Sequence, residues 1–233
     1  MSSERREGSS HARAKVMNRE ALQPLVVRLL KRSQSALSPD VYLVNLGENL
    51  AVWKDYGAKA VFGRLWGRQV IAREAKALEQ LRGVDGIPQL IARVDSTGIL
   101  MEYCDGEILM RRQVRQQVSP AFFEAVLELL EKIHARGVAH GDVRRKNILV
   151  RPDKSPALID FQTSWFSGRN PLRHWFFQLM CTVDKWNLLR IKARSFPRYM
   201  TEAERAFLEN PPLLLRLGRT FRRRMLRRKS SNE

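Results

Sequence analysis

The feature that most constrains this chain is the run VAHGDVRRKNILV leading straight into RPDKSPALIDFQ, residues 138–162. Two short apolar runs, Ile148–Val150 and Ala157–Ile159, flank a Pro-, Asp- and Ser-containing turn, the pattern of a tight antiparallel hairpin. Pairing the runs brings the residues at the open end, Asn147 and Asp160, side by side. The polar loop ahead of the first run then projects Asp142 next to them.

Asp142, Asn147 and Asp160 in that order supply what phosphoryl transfer from ATP requires. A carboxylate orients the attacking hydroxyl and accepts its proton, and oxygen ligands hold magnesium against the phosphates. An aspartate followed five residues later by an asparagine is, taken alone, most often a loop bonding to its own backbone. Here the ordered set, with His140 ahead of it and two apolar strands in register, favours the chemical reading. His140 itself reads as a buried packing residue that shapes the loop.

Upstream the texture is β-like: PLVVRLL, a polar break KRSQSALSPD, VYLVNL, a turn at Gly47-Glu48-Asn49, then LAVWKDY. This predicts three consecutive antiparallel strands. Residues 63–83 place Ile71, Ala75, Leu78 and Leu81 at helical spacing, with Gly83 available to end the helix. GIPQLIARVDSTGILMEYCDG adds two more short apolar runs. From Ser119, a capping residue followed by Pro120, the pattern turns helical through Gly137. Everything from Trp165 onward also reads as helical, with Thr201 and Glu204 forming a capping box for a helix ending near Pro211.

The segment HGDVRRKN, the Ile-Leu after Asn147 and the IDFQ at 159–162 resemble the catalytic loop and magnesium motif of the protein-kinase-like superfamily. Among its members the match is closest to RIO-type and small atypical bacterial serine/threonine kinases, and bacterial lipopolysaccharide-core sugar kinases look like this fold too. The resemblance covers Leu25 to Ser164 and implies an α+β, bilobal fold with a small β-rich N-lobe and a mainly helical C-lobe. It implies Asp142 as catalytic base, Asn147 and Asp160 as magnesium ligands, and Lys54 gripping the ATP phosphates in partnership with Glu74; Glu79 on the same helix is the competitor. It also implies a hinge in ILMEYCDG, with Met101 as gatekeeper and Glu102 and Cys104 offering backbone groups to adenine. Where the family carries a GxGxxG loop this chain reads KRSQSALSPD, so Ser33 and Ser35 are the expected phosphate donors. No APE motif follows Asp160, and Arg144 stands where many serine/threonine kinases carry lysine, placed to meet charge on the transferring phosphate.

The expected layout is a polar arm over 1–20, a kinase-like domain over 21–212 whose N-lobe ends at about 104 and whose C-lobe starts at about 105, and a basic amphipathic helix and tail over 213–233. In that tail Leu214, Leu217, Phe221 and Met225 form a stripe among arginines. The chain carries 42 Lys and Arg against 24 Asp and Glu, a net charge of +18, which favours anionic partners. The tail therefore reads as attachment to an anionic membrane or RNA, or as a last packed helix with a solvated end. Two cysteines, Cys104 and Cys181, are too few for a disulfide framework. With no apolar export signal at the start and no long apolar run, the reading is a cytoplasmic protein, with peripheral attachment to the inner face of the membrane as an option. Trp165, Trp175, Phe176, Phe177 and Trp186 are expected in the core of the C-lobe.

The functional expectation is an ATP- and Mg2+-dependent phosphotransferase, best read as a serine/threonine protein kinase of RIO-like type. The alternatives are a lipopolysaccharide-core or other membrane-linked sugar kinase, with a glycolipid instead of a protein as hydroxyl acceptor, an ATPase acting on a ribosome-like partner, and a non-catalytic kinase-fold binding module.

Overall fold

The computed structural model describes residues 18–211. The basic segment expected over 213–233 and the first 17 residues of the expected arm lie outside the described residues. Residues 18–20, assigned to the arm by composition, are part of the fold. Asn18 caps a helical turn, α1 (Arg19–Leu22), whose Leu22 is fully buried and whose Arg19 pairs with Asp55 at 2.5 Å and Asp95 at 3.1 Å.

The chain divides into two compact units, one comprising the residues up to Ile71 together with Leu90–Tyr103, the other Ala72–Gln89 and the residues from Cys104 onward. The first unit is built on strands β1 (Val26–Lys31), β2 (Asp40–Asn45), β3 (Leu50–Asp55), β4 (Leu90–Asp95) and β5 (Gly98–Glu102). They form one antiparallel sheet in the order β1-β2-β3-β5-β4. Alternation along β2 and β3 sends Val44, Ala51 and Trp53 to one face, where they close a core with Ala92, Val94 and Leu100. The helix α2 (Val61–Gln80) begins in this unit and contributes its second half to the other.

In the second unit, α3 (Arg112–Gln117) precedes α4 (Pro120–Ala135), which buries Phe122, Phe123, Val126, Leu129, Leu130 and Ile133. Pro120 opens α4 as expected, but the Ser119 side chain makes no capping bond; its backbone carbonyl accepts from Phe122 N instead. Two small sheets follow. Strands β6 (Glu107–Ile108), β8 (Ile148–Val150) and β9 (Pro156–Leu158) form one, β7 (Val138–Ala139) and β10 (Trp165–Phe166) the other. The helical reading from Trp165 is thus corrected, because Trp165 and Phe166 pair with Ala139 and Val138 before α5 (Pro171–Ser195) begins at the Asn170 cap. The last element among the described residues, α6 (Glu202–Glu209), carries the Thr201–Glu204 capping box in both directions.

The aromatic expectation is corrected in part. Phe177 and Trp186 are core residues, whereas Trp165 and Trp175 are 44% and 55% exposed, Trp165 stacked on half-buried Phe176 and Trp175 edge-on to it. The stripe that α5 buries runs through Phe177, Met180, Cys181 and Val183, and Trp175 lies off it.

Candidate active site

The hairpin read from sequence is β8 and β9, with Ile148 opposite Leu158 and Val150 opposite Pro156. One residue beyond the ladder, Ile159 N donates to Asn147 O at 3.0 Å, so the pairing runs to the threshold of Asp160. Asn147 is almost fully buried. Its Nδ2 donates to the backbone oxygen of Asp142 at 2.9 Å and to the carboxylate Oδ2 of Asp142 at 3.1 Å. A side chain held at both points fixes the loop and the carboxylate together. Arg144 also donates to Asp142 Oδ2, from a largely exposed guanidinium.

The loop between β7 and β8 owes its shape to groups around His140, which is completely buried. Its Nε2 lies 3.1 Å from the carbonyl of Ile159, which can only accept, so Nε2 carries the proton and Nδ1 accepts from Asp142 N at 3.3 Å. Gly141 has φ +78, and a Cβ there would meet Thr163 O at 2.4 Å, so the residue between His140 and Asp142 has to be glycine. Beneath the loop lies Asp184 of α5, with no solvent exposure, accepting from His140 N at 2.7 Å, Gly141 N at 2.9 Å and His134 Nε2 at 3.1 Å. Sequence reasoning missed Asp184. The available signal was a lone carboxylate on an apolar face, one turn from both Met180 and Leu188.

Asp160 follows β9 in the left-handed region, φ 73, which an aspartate tolerates better than most side chains, and its backbone leads into the turn Phe161–Thr163. The Phe161 N–H donates to Glu74 Oε1 at 3.2 Å in a fully buried contact. Glu74, in the second half of α2, is thereby tied to the segment that carries Asp160. Glu79 sits on the exposed side of the same helix.

The other expected residues belong mostly to the first unit. Lys54 is on β3 between Val41 of β2 and Ile99 of β5, only 8% exposed, a burial that an ammonium tolerates only with polar partners. Met101 is buried on β5, Glu102 is exposed beside it, and Cys104, half-buried, opens the second unit. Ser33 and Ser35 lie in the β1–β2 loop and are engaged within it. Ser33 Oγ accepts from Ser35 N, Ser35 Oγ accepts from Leu37 N, and Ser33 N donates to Asp40 Oδ1 at 2.8 Å. Lys59 seals this loop through Ser33 O at 2.7 Å and Asp40 Oδ1 at 3.1 Å.

Among the described residues, no three His, Cys, Asp or Glu side chains gather to hold a metal ion. Magnesium at a nucleotide does not need such a cage, since it takes one or two protein oxygens and completes its shell with water and phosphate. Asn147, whose amide nitrogen is spent on Asp142 and whose amide oxygen is a hard donor, and the Asp160 carboxylate have the right chemistry for it.

The sequence matches the protein kinase domain family over residues 56–177. It is 26% identical over 139 residues to the bifunctional serine/threonine-protein kinase/NEDD4-like E3 ubiquitin-protein ligase of Dictyostelium discoideum, covering 54% of this chain and 7% of that protein. It is 41% identical over 85 residues to the serine/threonine-protein kinase WAG1 of Arabidopsis thaliana, covering 32% of this chain and 18% of that protein. A probable bifunctional tRNA threonylcarbamoyladenosine biosynthesis protein of Methanoculleus marisnigri is 27% identical over 157 residues, 64% of this chain and 28% of its own length. The alignments therefore span well under a third of each of these relatives.

Proposed function

This chain belongs to the protein kinase domain family, and from that premise we propose that it is an ATP- and Mg2+-dependent phosphotransferase with an alcohol group as acceptor, a serine/threonine protein kinase of the atypical, RIO-like kind. The observation that carries the reading is the locking of Asp142 by Asn147 above the buried Asp184, which holds one carboxylate in a fixed place for an incoming hydroxyl. The similarity to a tRNA threonylcarbamoyladenosine biosynthesis protein alongside serine/threonine kinases, and the serine-bearing loop in place of GxGxxG, support the atypical branch.

Magnesium, if bound with the nucleotide, would supply positive charge to offset that of the phosphates. Asn147 and Asp160 would hold it. Asp142 orients the acceptor hydroxyl and takes its proton as the hydroxyl oxygen bonds to the γ-phosphorus of ATP and the bond from that phosphorus to the β–γ bridging oxygen breaks, releasing ADP. Arg144, already beside Asp142, places positive charge where the transferred group arrives. Lys54 grips the ATP phosphates, and Glu74 fixes the start of the Phe161 turn and with it Asp160. Met101, Glu102 and Cys104 border the adenine.

The test is transfer from γ-labelled Mg-ATP, compared between the wild-type chain and Asp142→Ala. Loss of about 100-fold or more, with an unchanged melting temperature and ATP affinity largely retained, is expected from removing a general base. Wild-type turnover in the variant would sink the assignment of Asp142. Label appearing in a glycolipid but not in protein would move the acceptor to the sugar-kinase alternative while leaving the mechanism in place.

A further inference from the structure

Helix α2 is built inside out over its first two turns. Gly63 and Gly67 are its buried positions there. A Cβ at Gly63 would lie 2.6 Å from Ala36 O, and one at Gly67 would lie 2.4 Å from the ring of Tyr56, so the helix rests on its two smallest residues. The large apolar side chains face the other way: Val61 is 63% exposed, Phe62 72%, Leu65 54% and Trp66 48%. From Val70 onward the helix is ordinary, with Val70, Ile71, Ala75 and Leu78 buried. The inversion is therefore confined to one patch, with four large apolar side chains at i, i+1, i+4 and i+5 where a solvated helix carries polar ones.

The charge around the patch narrows what can cover it. From Val61 to Ile71 the helix carries Arg64 and Arg68 and no acidic residue. Both arginines border a pocket of about 280 Å³ that also takes in Leu65, Ser96 and Thr97. Arg19 reaches the same pocket, but its charge is met by Asp55 and Asp95, whereas Arg64 and Arg68 make no ion pair among the described residues. A second copy of a chain with a net charge of +18 is electrostatically the wrong partner. A nucleic acid would be anionic, yet it would stack on aromatic faces and leave Val61 and Leu65 in water. An aliphatic and aromatic ridge with arginines beside it and hydroxyl groups in the adjoining pocket matches the boundary of an anionic bilayer, where apolar side chains enter the acyl region, Trp sits at the headgroup level and Arg meets phosphate.

We propose that the first two turns of α2, through Val61, Phe62, Leu65 and Trp66 with Arg64 and Arg68, dock this protein on an anionic phospholipid surface. This goes beyond the phosphotransferase reading and does not depend on it. The site is far in sequence from the basic segment over 213–233, so substitutions tell the two apart.

The experiment is co-sedimentation of the full chain with vesicles of phosphatidylcholine containing one quarter phosphatidylglycerol. Wild type, Phe62→Ser/Trp66→Ser and Arg64→Gln/Arg68→Gln are compared, with thermal melts to establish that the exposed substitutions leave the fold intact. Wild-type binding is expected to fall at least about tenfold without Phe62 and Trp66, and by about fivefold per arginine removed. Pure phosphatidylcholine vesicles should bind weakly. With vesicles carrying brominated acyl chains, quenching of tryptophan fluorescence should drop in Trp66→Phe. Vesicle binding equal to wild type in Phe62→Ser/Trp66→Ser, unaltered quenching in Trp66→Phe, or no wild-type binding to anionic vesicles would each overturn the proposal.

Discussion

The loop that carries Asp142 and the loop between β1 and β2 are both polar connections between short strands, and they are fastened by different means. The first is held from far along the chain. Asp184, more than 40 residues downstream, accepts two of its backbone N–H groups, and Ile159 accepts its histidine ring. The second is held in part from within, by Ser33 and Ser35 bonding to neighbours two residues away, and in part by Lys59 donating to Ser33 O and Asp40 and by the Tyr56 hydroxyl donating to Leu37 O at 3.2 Å. A clamp from a distant buried carboxylate gives a loop one geometry, which a group acting on a substrate hydroxyl requires. A loop whose side-chain bonds lie largely at the surface, each neutral one worth about 1 kcal/mol net, opens at lower cost than one clamped on a fully buried carboxylate. On the phosphotransferase reading proposed above, that would suit a cover under which a nucleotide enters and leaves.

The largest expected effect comes from removing the clamp. In Asp184→Ala, His140 N, Gly141 N and His134 Nε2 lose their common acceptor in a buried site. The cost should be on the order of 3–5 kcal/mol in urea denaturation, together with loss of phosphoryl transfer. Asp184→Asn sharpens the test, because the amide oxygen still accepts from one donor while its nitrogen faces donors at the other, so a smaller destabilisation with a comparable loss of transfer is expected. A fully active Asp184→Ala would show that the Asp142 loop keeps its geometry by itself and would dissolve the contrast between the loops.

This clamp also marks where the sequence stops being readable. The hairpin that carries Asn147 and Asp160 was legible because local turn chemistry makes it, and the short reach from Asp142 to Asn147 lets those two meet. Asp184 shares no segment with its partners; only the burial of the face carrying Met180 and Leu188 reveals it. That Lys54 lies on a strand and Glu74 on a helix could be read from local pattern, while the bond from Phe161 N to Glu74 could not. Hydrophobicity misplaced Trp165 and Trp175 because it counts aromatic residues without their direction. Trp165 sits on a two-residue strand that no periodicity announces, and Trp175 is two positions off the stripe α5 buries. The same blindness hides the first turns of α2, where glycine is inside and Phe62 outside.

A smaller effect is expected from the β1–β2 loop. Ser33→Ala with Ser35→Ala removes two side-chain acceptors in an exposed setting and should cost about 1 kcal/mol or less. If the loop covers the nucleotide, the double variant should raise KM for ATP several-fold and leave kcat within about twofold, the pattern of lost uniform binding. A fall in kcat with unchanged KM would put these serines in the chemical step and end the division of labour drawn between the two loops.

The smallest effect concerns rigidity alone. Cys181 lies one turn before Asp184 on α5, 8% exposed, its thiol pushed up to about 12 by burial first and by the nearby Asp184 charge second. Alkylation needs the thiolate, and at pH 8 a thiol of that kind is ionised in only about one molecule in ten thousand. Iodoacetamide should therefore label half-buried Cys104 in the native protein and leave Cys181 unmodified until denaturant is added. In Asp184→Asn the carboxylate charge is gone and the clamp weakened, so Cys181 should label faster than in wild type with Cys104 unchanged. If Cys181 in the wild-type protein reacts as fast as Cys104, α5 opens on the timescale of the reagent, and the Asp142 loop is then anchored to an element no firmer than the β1–β2 loop it was contrasted with.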